Sequence, residues 1–136
     1  MGMFNVFNVS GSAMNAQSVR LNTIASNVAN AESVSASPDQ VYKAKQPVFE
    51  TLLQNEANQN SVGVKVKQVL ESDAAPIIRH APNHPLADEQ GNVYLPNINT
   101  VEEMANMMSA SRAYQNNVEV FNTSKQLLMQ TLNLGK

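Results

Sequence analysis

The sequence predicts an α+β fold: long N- and C-terminal α-helices form a coiled-coil-like pair, with a small irregular β-containing insert between them. Three observations carry this. Residues 99–136 hold a helical seam of Met104, Met107, Ser111, Tyr114, Val118, Phe121, Lys125, Leu128 and Leu132, in alternating steps of three and four. Residues 1–30 hold a second seam. Phe7, Met14, Leu21 and Val28 recur every seven residues, and Met3, Ser10, Gln17 and Ile24 fill the alternate heptad positions. Residues 31–98 lack such a seam. They carry Pro38, Pro47, Pro76, Pro82, Pro85 and Pro96, and one clear period-two run at Val62, Val64 and Val66. The chain therefore divides into an N-terminal helix (1–30), a linker plus β/loop insert (31–98) and a C-terminal helix (99–136).

Each element has its own signals. Phe4, Val6 and Val9 alternate with Asn5 and Asn8, and this opening has poor helical propensity, so it is expected to fray in the free protein. Ser10 or Ser12 is the expected cap of a helix that spans roughly residues 4–29 and is regular from residue 13 to 30. Its many Asn and Ser residues compete with the helix through local hydrogen bonds, so packing must supply the rest. Residues 31–38 read as a small, polar linker ended by Pro38. Residues 41–46 alternate as a short strand stopped by Pro47; alternatively, Pro47 opens a turn of helix through Leu53. Residues 54–60 are polar and loop-like. Val62, Val64 and Val66 alternate with Gly63, Lys65 and Lys67 as a half-buried strand, and Val69 breaks the parity, which signals a bulge or an exit from the sheet. Residues 72–96 are turn-rich, with a turn at residues 88–91 and a short returning strand at 92–95. A sheet this small must lie against the helices.

In the last helix, Thr100 and Glu103 stand at capping-box spacing, with Glu102 and Glu103 at the positive end of the dipole. No Pro or Gly interrupts it before Gly135. Its length is roughly 50 Å at 1.5 Å per residue. A compact domain of this size is about 35–40 Å across, so the helix is expected to protrude, with a seam that needs a partner. The heptads do not say whose seam they meet. An intramolecular antiparallel pair and a unit that completes its core against other copies both satisfy them.

Composition narrows the function classes. With 43% hydrophobic residues, 5% aromatics and no Trp, the core is thin and built of Val, Leu, Met and Ala. A net charge of −2 gives no basic footprint for nucleic acid. No run of 18 apolar residues is present, so no membrane insertion is expected. The opening lacks the basic and apolar regions of a cleaved signal. Val6 stands where myristoylation requires Ser or Thr. The absence of Cys fits the cytosol, and equally a chain that must stay unlinked while threaded through an export channel. His80 and His84 are four apart, but Pro82 and Pro85 forbid a regular helix through them, so they read as loop-packing groups and no metal is expected. There is neither a G-x-S-x-G nor a Gly-rich phosphate loop. No catalytic residue and no cofactor is expected, and the chain does not read as an enzyme. Arg112 lies off the main seam. It is either solvated, paired with Glu119 one heptad on, or set to meet a carboxylate on a neighbour. Seven Met residues, with Met104, Met107 and Met108 clustered, serve either as core filling or as an adaptable surface for non-identical partners.

The two ends together resemble a known family. SAMNAQSVRLNTIASNVANAES is similar to the Asn-Ala-Asn-bearing motif of flagellar axial proteins, through Ala13, Ala16, Arg20, Leu21, Ile24, Asn27, Val28, Ala29 and Asn30. Residues 96–136 resemble the C-terminal motif of the same family, through Val101, Glu103, Met104, Ser109, Ser111, Arg112, Tyr114, Asn117, Val118, Leu128 and Leu132. His84, Pro85, Ala87, Asp88, Gly91, Val93 and Pro96 match the proximal-rod members of that family. His80-Ala81-Pro82-Asn83 departs from them, where an aromatic residue and a Gly are usual.

The resemblance implies a structural subunit of the bacterial flagellar basal-body rod, the drive shaft that transmits torque. It implies export by the flagellar type III apparatus without a cleaved signal, and assembly in the periplasm with other rod proteins and copies of itself. The expected assembly interface is Phe7, Met14, Leu21, Ile24, Asn27, Val28 and Asn30 on the first helix. On the last it is Met104, Met107, Arg112, Tyr114, Val118, Phe121, Leu128 and Leu132. The rival reading is a small cytosolic coiled-coil adaptor or export chaperone that binds a partner helix.

Overall fold

The two heptad-patterned ends form the two long helices of the computed structural model, which describes residues 3–53 and 62–135. Helix α1 is Met3–Asn30 and helix α2 is Thr100–Leu134. At 1.5 Å per residue they are about 42 and 52 Å long. They pack antiparallel: Phe7 meets Phe121, Arg20 meets Asn106, and Asn27 meets Glu103. Two β-hairpins lie between them in the chain, so the fold is α+β as expected.

Neither expected cap of α1 is a cap. The helix starts at Met3, Ser10 is 3% exposed inside it, and the Ser12 hydroxyl donates back to the Val9 carbonyl at 2.9 Å. Packing explains the extension. Phe7 meets Phe121 edge-to-face with ring centroids 4.9 Å apart, and that tertiary contact outweighs the poor local propensity. The cap of α2 also differs from expectation. Asn99, not Thr100, accepts from the amides of Val101 and Glu102, and the Glu103 side chain is drawn to Asn27 instead of folding back.

Strands β1 (Lys45–Leu53) and β2 (Val62–Glu71) form an antiparallel ribbon. Pro47 neither stops the strand nor begins a helix, because every strand of a two-stranded ribbon is an edge and leaves one backbone side unpaired. Val48 faces Gln68 and Phe49 faces Val66, so Lys67 is an extra residue. That bulge is the source of the parity break before Val69. The ribbon lies against α1, where a Cβ on Gly63 would sit 3.0 Å from the Ser12 hydroxyl. The loop expected over residues 54–60 lies outside the described residues.

Strands β3 (Ile77–His80) and β4 (Asn92–Leu95) form the second hairpin. β4 and its turn fall where the sequence places them. Gly91 has φ of +76°, the left-handed conformation that favours glycine. β3 is absent from the sequence reading, because Ile77 and Ile78 are adjacent rather than alternating and prolines flank them. The linker supports this hairpin: Ser35 and Tyr94 exchange backbone hydrogen bonds of 2.9 and 3.0 Å, and a 3-10 turn at Pro38–Gln40 follows. Among the described residues the buried apolar side chains are Ala16, Ile24, Ala31, Val93, Pro96 and Ala110, a core as thin as the composition implies.

Candidate assembly surface

Small residues set how the helices meet. Ala16 is 2% exposed and Ala110 is fully buried, so the backbones approach closely there. The inward face of α2 keeps Met107, Phe121 and Leu128 from the predicted seam. It also keeps Ser111 and Val118, which share it with Ala110 and Asn117, while at the two ends Glu103 and Ser124 replace the predicted Met104 and Lys125, which are exposed. The apolar count favoured the predicted set. What it missed is that Ala110 fits the closest approach, and that Glu103 and Asn106 reach polar partners on α1.

Asn27 is the densest of those polar points. It is 1% exposed and every polar site of its amide is used. Its Nδ2 donates to the Lys45 carbonyl at 2.9 Å and to Glu103 Oε2 at 3.0 Å. Its Oδ1 accepts from the Lys45 amide at 2.8 Å and from the Tyr42 hydroxyl at 3.0 Å. One side chain thereby joins α1, α2 and the root of β1. Ser12 makes a second joint, its hydroxyl accepting from the Val64 amide at 3.2 Å.

The predicted interface residues divide by where they point. On α1, Ile24 and Asn27 are buried within the chain, while Phe7, Met14, Leu21, Val28 and Asn30 are half-buried. On α2, Met107, Val118, Phe121 and Leu128 are half-buried. Met104 (57%), Leu132 (61%), Tyr114 and Arg112 are exposed. Six further exposed apolar residues of α2 stand outside the predicted interface: Val101, Met108, Val120, Leu127, Met129 and Leu134. Their exposure follows from the shift of the inward face and from the length of α2. With Phe7 level with Phe121, the start of α1 at Met3 lies level with about residue 125, and the rest of α2 runs on beyond it.

Among the described residues the one ion pair is Lys65–Glu50 at 3.3 Å, and Arg112 and Glu119 do not form one. His80 Nδ1 lies 3.2 Å from Asn92 Oδ1, and His84 Nδ1 accepts from the Leu86 amide at 3.1 Å. Both rings therefore brace the β3–β4 connection. Among the described residues no helix is long and apolar enough to cross a membrane. The arrangement offers surfaces for packing.

The comparisons agree with that geometry. A family model of the flagella basal body rod protein matches residues 7–34, nearly all of it on α1. A model of the C-terminal region of flagellar basal body rod FlgEFG proteins matches residues 89–134, from the β4 turn to the end of α2. The class is thus that of flagellar basal-body rod proteins. Over the whole length of both chains, the protein is 48% identical to the flagellar basal-body rod protein FlgC of Salmonella typhimurium and 50% identical to that of Escherichia coli O6:H1. The FlgC of Aquifex aeolicus is 38% identical, over all of this chain and 99% of its own. The chain belongs to the FlgC family of flagellar basal-body rod proteins.

Proposed function

We propose that the chain is a structural subunit of the flagellar basal-body rod, with no catalytic role. The observation that carries this is kinship with FlgC proteins from end to end, terminal helices and hairpin insert together. The geometry supports it: α2 turns Val101, Met104, Met108, Leu127, Met129 and Leu132 to solvent, an apolar surface spread along most of a long helix. A heterologous contact that repeats without closing builds a helical tube. Packed helices from successive copies and from other rod proteins would carry torque, because close-packed side chains deform little.

On this reading the chain leaves the cytoplasm through the flagellar type III apparatus without a cleaved signal and orders fully on docking. The predicted interface residues that face outward, with Tyr114 and Met104 foremost, then meet neighbouring subunits. Cell fractionation tests the proposal. The chain is expected to co-purify with basal bodies, and a chain found only in the soluble cytoplasmic fraction would overturn it.

A further inference from the structure

A cleft of about 400 Å³ opens where β1 leaves the helix pair. Ile24, Pro47 and Phe49 give it an apolar floor beside the polar Arg20, Lys45, Gln46, Glu103 and Asn106. Glu103 is already engaged, because its Oε2 accepts from Asn27. Arg20 reaches the amide oxygen of Asn106 at a long 3.5 Å, and Lys45 Nζ stands 5.8 Å from the centre of the Tyr42 ring. Neither cation has a carboxylate within ion-pair distance among the described residues, in a chain whose net charge is −2. Both are half-buried. A partly desolvated cation without a counter-ion favours an incoming carboxylate, and the floor favours an apolar side chain beside it.

The chain carries a matching patch. Glu119 is exposed and unpaired among the described residues, next to Val120, which is itself one heptad before Leu127; the two apolar residues are 47% and 50% exposed. Glu102 with Val101 has similar chemistry, but it adjoins the cleft on the same turns of α2. Patches so close together can pair reciprocally about a two-fold axis, and such a contact closes after two copies. Glu119 lies about 15 residues beyond the cleft's α2 wall, roughly 20–25 Å along the helix. A contact between surfaces so displaced is heterologous, and it builds a filament where the rotation between copies does not close.

We propose that this cleft is a docking site for a second copy of the chain. The copy seats Glu119 of its α2 between Arg20 and Lys45, with Val120 over Phe49 and Pro47. The proposal rests on the rod reading above.

The chain has no Cys, so introduced ones report cleanly. Basal bodies are isolated from cells whose rod uses the full chain with Gln46→Cys and Val120→Cys together, then oxidised and denatured. A ladder of covalent multimers is expected, with no ladder from either single substitution. Presence of the doubly substituted chain in basal bodies without a ladder overturns the proposal and leaves the rod reading standing. If the unsubstituted chain is absent from basal bodies, the rod reading fails and this one with it. A charge exchange gives a second measurement. Arg20→Glu with Lys45→Glu is expected to lower incorporation by about tenfold or more, since like charges then face each other. Adding Glu119→Lys is expected to restore it, and a lack of restoration counts against the docking.

Discussion

Asn27 uses both donors and both acceptor positions of its amide inside its own chain, so its contribution falls on the fold. Asn27→Ala would leave the Lys45 backbone groups, the Tyr42 hydroxyl and one Glu103 oxygen short of a partner in a nearly dry site. Each stranded buried group costs about 1–3 kcal/mol. With partial relaxation the variant is expected to lose about 2–4 kcal/mol, read as a lower urea midpoint. The heptad and the family motif both put Asn27 on a packed face. They could not show that its bonds end on residues 18 and 76 positions away, because a seam gives direction and not partner. Asp88 is a residue whose role was legible. It accepts from the amides of Gln90 and Asn92 and from the Tyr94 hydroxyl, which closes the predicted turn. The Asn92 amide above all holds its carboxyl below the ordinary 3.8; burial is the next effect and opposes it, and the Tyr94 hydroxyl and the Gln90 amide add to the lowering. A lowered folded value means that the stabilisation is present above the unfolded value and is lost as pH falls through the folded one. The turn is therefore expected to hold at neutral pH and to loosen below about pH 3.8. The amide shifts of Gly91 and Asn92 would report this by NMR, and Asp88→Asn should remove that acid step.

At the scale of elements, the joint between ribbon and helix is narrow. Gly63 comes so close to α1 that an added methyl must displace the Ser12 hydroxyl by a few tenths of an ångström and so strain its bond from the Val64 amide. Gly63→Ala is expected to cost about 1 kcal/mol and to speed hydrogen exchange at the Val64 amide, with the helix pair unchanged. The inward face of α2 gives a sharper test. Ala110 is fully buried at the helix crossing, so Ala110→Leu overpacks it and is expected to cost about 1–3 kcal/mol. If Ser111 rather than Ala110 stood at the closest approach, position 110 would be peripheral and the substitution nearly silent. The elements that the sequence showed least well share one cause. β1 contains a proline that only an edge tolerates, and β3 has no alternation because all four of its side chains are exposed. Period-two patterning reports a half-buried strand, and neither strand meets that condition cleanly. β2 was legible because half-buried Val64 and Val66 alternate with exposed Lys65 and Lys67, and the helices because each turns one face inward along most of its length.

For the whole molecule, α1 is largely covered within the chain and α2 is not. The far end of α2 shows this most plainly, with Leu127, Met129, Leu132 and Leu134 between 50% and 89% exposed beyond the level where α1 begins. Such side chains add little to the stability of a single copy, since apolar surface left in water gains nothing from folding. They matter only if another subunit covers them. Deleting residues 129–136, which leaves the inward-facing Leu128 in place, should therefore shift the urea midpoint of the purified protein by no more than about 0.5 kcal/mol equivalent. The same deletion should abolish swimming and incorporation into basal bodies. Deleting residues 1–30 is expected to differ, because it removes the helix that covers α2 and so costs both the fold and the assembly. If the short C-terminal deletion unfolded the isolated protein, the end of α2 would belong to the monomer core. If it left swimming intact, that end would be a bystander in the rod. A stable monomer that no longer enters the rod is the outcome that places the function of α2 between molecules.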